Sequence, residues 1–280
     1  MKHIYLNLKR FDIPKSRGGV NALAPVADWA KTIVSSTQDS LSGAEFAAAE
    51  YVMFFPEAHI LSACAAKSEK SPICVGAQGV HREDTAIGGN FGAFTTLLTA
   101  NAAAELGCGY VLIGHCEERR EKAGVLAEAG VTDPAAVNRL LNKEVLAAQK
   151  AGLSVLYCIG ESEAELPRKE EVLGQQLSIG LEGADMSRVV VAYEPIWSIG
   201  PGKTPAGKEY ITETARFIKK VANNVDVVYG GGLKADNAAM LASIEEIDGG
   251  LIALTRFSGD IGFYPEEYLE IIRLYLGAAK

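Results

Sequence analysis

Three side chains in this chain have the types and settings that proton transfer at a carbon next to a carbonyl requires: Glu194, His115 and Lys9. Glu194 lies in VAYEPIWSIGPGKTP, where an apolar run passes into a carboxylate, then Pro195, then a loop carrying Ile196, Trp197 and Ile199 and closed by Gly200 and Gly202. An apolar loop that closes over a carboxylate strips its water and raises its basicity, which suits abstraction of a carbon-bound proton. The same residue also reads as a strand-end Glu capping the next helix. His115, in VLIGHCEERR, is followed at once by a charged, helix-like turn whose amide dipoles favour a neutral imidazole. Such a ring donates a hydrogen bond to a carbonyl and shuttles protons between adjacent oxygens; a structural histidine at a strand terminus is the other reading. Lys9 offers a fixed positive charge to an anionic substrate, or is a solvated surface Lys. Asn7 and Glu117 stand beside Lys9 and His115 in the chain.

Each of these residues ends a short β-rich run, and eight such runs recur, at 3–8, 51–55, 72–77, 109–114, 153–160, 188–195, 225–231 and 250–254. Most are nearly continuous in apolar residues, the pattern of parallel strands buried on both faces. Apolar residues three and four apart predict helices over 20–35, 95–106, 135–151, 208–221 and 266–276, with weaker ones over 57–66, after Ser162 and after Ala235. Strands alternating with helices and no Pro/Ser linker predict an α/β chain, a single (β/α)8 barrel domain over 1–280. A doubly wound sheet is the alternative, but it calls for a Gly-rich turn after the first strand, where this chain reads NLKRFD. In a barrel the carboxyl ends of the strands surround one mouth, so a base, an electrophile and a cation would meet there.

Composition narrows the function classes. With 280 residues, 48% of them hydrophobic and 22% charged, the chain can bury a large core, which excludes disordered and fibrous classes. Its 27 basic and 35 acidic residues give a net charge of −8 without any Lys/Arg-rich run, so no nucleic acid partner is expected. Five scattered cysteines, Cys64, Cys74, Cys108, Cys116 and Cys158, with no CxxC, suggest neither a disulfide framework nor a zinc ribbon and suit a reduced cytoplasm. No apolar run reaches the ~18–20 residues of a membrane helix, and MKHIYLNLKRFD lacks a signal-peptide stretch, so a cytoplasmic setting without a membrane partner is expected.

The motifs NLK at 7–9, GAFT at 92–95, IGHCE at 113–117, CIGE at 158–161, AYEPIWSIGPGKT at 192–204 and YGGG at 229–232 resemble those of the triosephosphate isomerase family, in the family's order along nearly the whole chain. The resemblance implies a TIM barrel, a homodimer, and interconversion of a phosphorylated aldose and ketose with no metal and no organic cofactor. By motif position it makes Glu194 the base and His115 the electrophile, with Lys9 the catalytic cation. It makes Asn7, Lys9, Gly200 and Gly232 substrate contacts, and Glu117 the support of the Lys9 charge.

The chain departs from the family pattern in two places. Gly232 stands where the family has Ser after YGG, and Ala253 and Leu254 stand where it has two glycines whose unhindered N–H groups approach phosphate. Arg256, two residues on, either folds back to grip an anion bidentately or is an exposed helix-entry Arg. On the interface side, Leu97 and Glu118 replace both partners of a family ion pair, and enlarged loops are expected at about 79–91 and 120–134, so the homodimer interface is expected to be altered. The changed phosphate end leaves open a different small hydroxy-carbonyl substrate with the same proton transfer. A non-catalytic barrel that binds a sugar phosphate or a protein is a third reading.

Overall fold

The computed structural model describes residues 1–199 and 203–279. Eight parallel strands close on themselves in chain order: β1 (Lys2–Asn7), β2 (Ala49–Phe55), β3 (Ile73–Ala77), β4 (Tyr110–Ile113), β5 (Ser154–Ile159), β6 (Val189–Tyr193), β7 (Asp226–Tyr229) and β8 (Gly249–Ile252). β8 pairs back onto β1, with His3 opposite Gly249, which excludes the open doubly wound sheet and gives the (β/α)8 TIM barrel. The sides are unequal. β3 meets β4 only through Gly76–Tyr110 and Ala77–Val111, and β7 meets β8 only through Val228–Gly249 and Tyr229–Gly250, whereas the other six sides run over four to six residue pairs.

The continuous apolar runs hide a period of two. Tyr5, Val52, Phe54, Leu112, Leu156, Val190, Ala192 and Val228 fill the barrel interior, while Ile4, Leu6, Met53, Phe55, Ile113, Val155 and Val191 pack outward under the helices. At the amino-terminal end of the strands the interior turns polar. His3 lies 2.7 Å from Glu50 and 2.9 Å from Asp226, and the Tyr5 hydroxyl donates to Glu50 at 2.7 Å. Burial opposes charge on His3, but the hydrogen bonds and charges of Glu50 and Asp226 outweigh it and raise the imidazole above its usual 6.5.

The outer layer is α1 (Trp29–Leu41), α2 (Glu57–Ala66), α3 (Ala100–Glu105), α4 (Cys116–Glu128), α5 (Pro134–Lys150), α6 (Lys169–Gly180), α7 (Lys208–Val221), α8 (Ala238–Ala242) and α9 (Pro265–Ala278). Three sequence expectations need correction. The helix expected over 20–35 begins only at Trp29, because Pro25 holds extended backbone and disfavours helix at Ala24, while the Asn21 side chain accepts from Leu23 N–H in a turn. The helix expected over 95–106 shrinks to α3, since Thr96 has φ +65 and Thr99 caps the helix by accepting from Ala102 N–H. The segment 120–134 is not an enlarged loop: α4 runs to Glu128 and only a short turn precedes α5. Its Glu, Lys, Ala and Leu are strong helix formers, and the exposed surface of α4 hid the periodicity that would have announced it. By contrast, the described segment between β3 and α3 carries no helix or strand and leaves Ile87 and Phe91 almost fully exposed.

Candidate active site

Glu194 follows β6 directly, and its own backbone N–H donates to Ile159 O at 2.7 Å, so the end of β5 holds its main chain. The residue is 2% exposed. One carboxylate oxygen lies 3.1 Å from His115 Nε2, and the other accepts from Cys116 N–H at 3.0 Å. Burial raises the Glu194 carboxyl above its usual 4.5, with His115 and the Cys116 amide pulling the other way. Gly230, just past β7, permits this packing: a Cβ there would stand 2.7 Å from Glu194 Cγ, inside contact distance.

His115 is the N-cap of α4, and its Nδ1 accepts the Glu117 N–H at 3.3 Å. A ring whose Nδ1 accepts must carry its hydrogen on Nε2, the nitrogen that faces Glu194. The start of α4 thus selects the tautomer. Cys116, beside them, has its thiol pushed up to about 12 by burial. Donor atoms of His115, Cys116 and Glu194 lie within 4.8 Å of one another, and they are the triad nearest to a metal-ligand set among the described residues.

Lys9 enters from β1 with φ +39, a left-handed backbone that side chains disfavour. Two contacts hold it there: Asn7 Oδ1 accepts the Lys9 N–H at 3.1 Å, and Gln78 Nε2 donates to Lys9 O at 3.0 Å. The Lys9 ammonium lies 2.8 Å from Glu117, whose carboxyl is held below its usual 4.5 by Lys9 against the pull of burial. Asn7, Lys9, His115, Glu117 and Glu194 are therefore joined by direct contacts at the carboxyl ends of β1, β4 and β6.

The remaining expected residues behave differently. Gly200 lies outside the described residues. Gly232 ends the β7 turn with φ +98. Arg256 is neither free for an anion nor simply exposed: its guanidinium pairs with Glu267 of α9 and stacks 3.9 Å over the Tyr264 ring. Residues after β8 make an excursion in which Arg256 and Gly262 exchange backbone hydrogen bonds, and this directs the Arg toward α9.

Three positioning residues escaped notice. Gln78 follows β3 and clamps the Lys9 turn. The Arg119 guanidinium reaches Gly114 O, Cys158 O, Asn138 and the Tyr157 hydroxyl, tying the His115 turn to β5 and α5. Glu161, fully buried, accepts from Trp197, Tyr193 and Tyr210 at 2.9, 2.9 and 2.7 Å and anchors the base of the loop after Glu194. Only Glu161 carried a signal, as the carboxylate closing CIGE.

A family model described as triosephosphate isomerase matches residues 26–273. A triosephosphate isomerase of Syntrophotalea carbinolica is 35% identical over 227 residues, covering 76% of this chain and 80% of the relative. One from Halorhodospira halophila is 32% identical over 258 residues, covering 87% and 91%. The crystal structure of triosephosphate isomerase from Bartonella henselae shares the fold with a TM-score of 0.71, at 23% identity and 98% coverage of each chain.

Proposed function

This chain belongs to the triosephosphate isomerase family, and from that premise we propose that Glu194, His115 and Lys9 carry its interconversion of glyceraldehyde 3-phosphate and dihydroxyacetone phosphate. The observation that carries the assignment is the 3.1 Å approach of His115 Nε2 to Glu194, with the Nε2 hydrogen fixed by the helix cap. Glu194 takes the proton from the hydroxyl-bearing carbon, and the electron pair moves to the carbonyl oxygen. The Nε2–H of His115 stabilises and protonates that oxygen, giving an enediol. The ring then recovers a proton from the adjacent hydroxyl, and Glu194 returns its proton to the neighbouring carbon. Lys9 offsets the negative charge that develops on the oxygens, and Glu117 holds the ammonium in place. Asn7 contributes by fixing the Lys9 backbone. Gly200 and Gly232 are assigned to the substrate by motif position alone.

We read the chain as one barrel domain that works without metal or organic cofactor. It acts as a homodimer, with Ile87, Phe91 and Leu97 supplying apolar surface for an altered interface. Five cysteines without disulfides suit a cytoplasmic setting. The test of the assignment is a coupled assay of both directions with the wild type and Glu194→Gln. The amide cannot take the proton, so turnover should fall by at least ~10²-fold with circular dichroism unchanged. Near wild-type turnover in the variant would remove Glu194 from the role.

A further inference from the structure

We propose that Lys234 is the side chain that grips the phosphate of the substrate in this protein, the part that the sequence had offered to Arg256. The inference rests on the triose-phosphate reading of the site and adds the residue that confers its anion specificity.

A phosphorylated substrate needs a donor of positive charge beyond the reacting carbons, and most cations around this end of the barrel are already matched. Lys9 pairs with Glu117, Arg256 with Glu267, Lys15 with Asp260, and Lys203 with Glu163. Lys234 has no carboxylate within ion-pair distance among the described residues. Its ammonium instead lies 4.1 Å from the centroid of the Phe257 ring, which belongs to the excursion after β8. It is half-buried, so it keeps a face for a ligand.

The backbone that carries it is fixed. The Lys234 N–H donates to Asn237 Oδ1 at 2.8 Å, Asn237 Nδ2 donates to Gly232 O at 2.9 Å, and Leu233 N–H donates to Leu251 O of β8 at 2.9 Å. The side chain runs back over the β7 turn, with Lys234 Cε 3.5 Å from where a Cβ on Gly232 would stand. Lys234 therefore lies over Gly232, where the family's Ser is missing, and reaches across to Phe257 of the excursion after β8.

The reach is right. A Cβ on Gly230 would stand 2.7 Å from Glu194 Cγ, and two further residues of chain add at most ~7.6 Å, so the Gly232 Cα lies within ~12 Å of the base. The phosphorus of a triose phosphate is three bonds from the central carbon, which puts its oxygens within this span.

The test uses Lys234→Met, Lys234→Arg and Arg256→Met, assayed for glyceraldehyde 3-phosphate turnover, for isomerisation of unphosphorylated glyceraldehyde, and for inorganic phosphate binding by calorimetry. Lys234→Met should raise KM and the phosphate dissociation constant by about tenfold, the size of one charge-assisted hydrogen bond, with the loss confined to phosphorylated ligands. Lys234→Arg should restore most of the binding, and Arg256→Met should leave phosphate affinity within about twofold, since its charge is spent on Glu267. Unaltered phosphate binding in Lys234→Met, or an equal loss with glyceraldehyde, overturns the proposal. The two readings fail separately. A wild type that binds phosphate through Lys234 but does not isomerise triose phosphates would sink the functional assignment and keep the anion site.

Discussion

Glu194 rests between two donors, the imidazole of His115 and the amide of Cys116, and is cut off from water. A carboxylate so enclosed holds its proton more tightly, and a protonated Glu194 cannot act as base. Activity is therefore present above its raised pKa and lost as pH falls through it. The acid limb of kcat/KM should lie above 4.5, the usual value for Glu, in a profile recorded where circular dichroism shows the fold intact. A limb at or below that value would contradict the effect of burial. The residues proposed to react stand out in the sequence because each follows an apolar run, where a polar or charged residue is conspicuous. Gln78 and Arg119 do not, because they act through main-chain carbonyls on distant segments that no local pattern connects to them. Arg256 was misread for a related reason: its partner Glu267 is reached only by the excursion that follows β8.

At the level of elements, α4 carries one departure from the family pattern, Glu118. Glu118 accepts the Gly114 N–H at 2.6 Å, just ahead of the His115 imidazole, and is joined to Lys122 at 3.0 Å, which in turn meets Glu144 of α5 at 2.8 Å. Where the family has an Arg at this point, the chain has built an acid–base–acid chain inside the layer. Glu144 is pushed up to about 9 by burial and then by the charge of Glu118. Its folded pKa lies above the unfolded 4.5, so the folded state holds an extra proton and stability declines as pH rises from about 4.5 toward about 9. Glu144→Gln removes that proton exchange. Its melting temperature should match the wild type near pH 5 and exceed it near pH 9, and an equal difference at both would refute the titration. Element type was readable where apolar periodicity was strong, as in α5 and α7, both matched within a residue. It failed at α4, which packs few of its side chains, and at the start of α1, where a Pro overrode apolar spacing.

Across the whole molecule, the closed order of strands followed from counting runs, because eight doubly buried strands with helices between them have few other ways to cover every face. The surface was less legible. The segment before α3 holds Ile87 and Phe91 in solvent, more than 90% exposed, as an isolated chain has no reason to do. In the proposed homodimer these side chains are the contact. Light scattering should show the wild type at twice the chain mass and an Ile87→Asp/Phe91→Asp variant at the mass of one chain. A wild-type monomer would defeat the proposal.

The two short sides of the barrel, between β3 and β4 and between β7 and β8, lie opposite one another in the closed ring. They part the cylinder into two half-barrels of four strands, β8-β1-β2-β3 and β4-β5-β6-β7, each internally laced by longer ladders. The cation and its Asn7 support belong to the first half, while the acid–base pair of His115 and Glu194 belongs to the second. Neither half alone contains the whole of the proposed proton-transfer centre. Lys234 and Phe257 straddle the seam between β7 and β8, and the Lys9–Glu117 ion pair joins the two halves at the mouth, so the proposed ligand contacts double as clasps between them. With the proposed site assembled from both halves, occupancy of the mouth and cohesion of the cylinder are linked: separating the halves would dissolve the site, and a ligand held by it would draw the halves together.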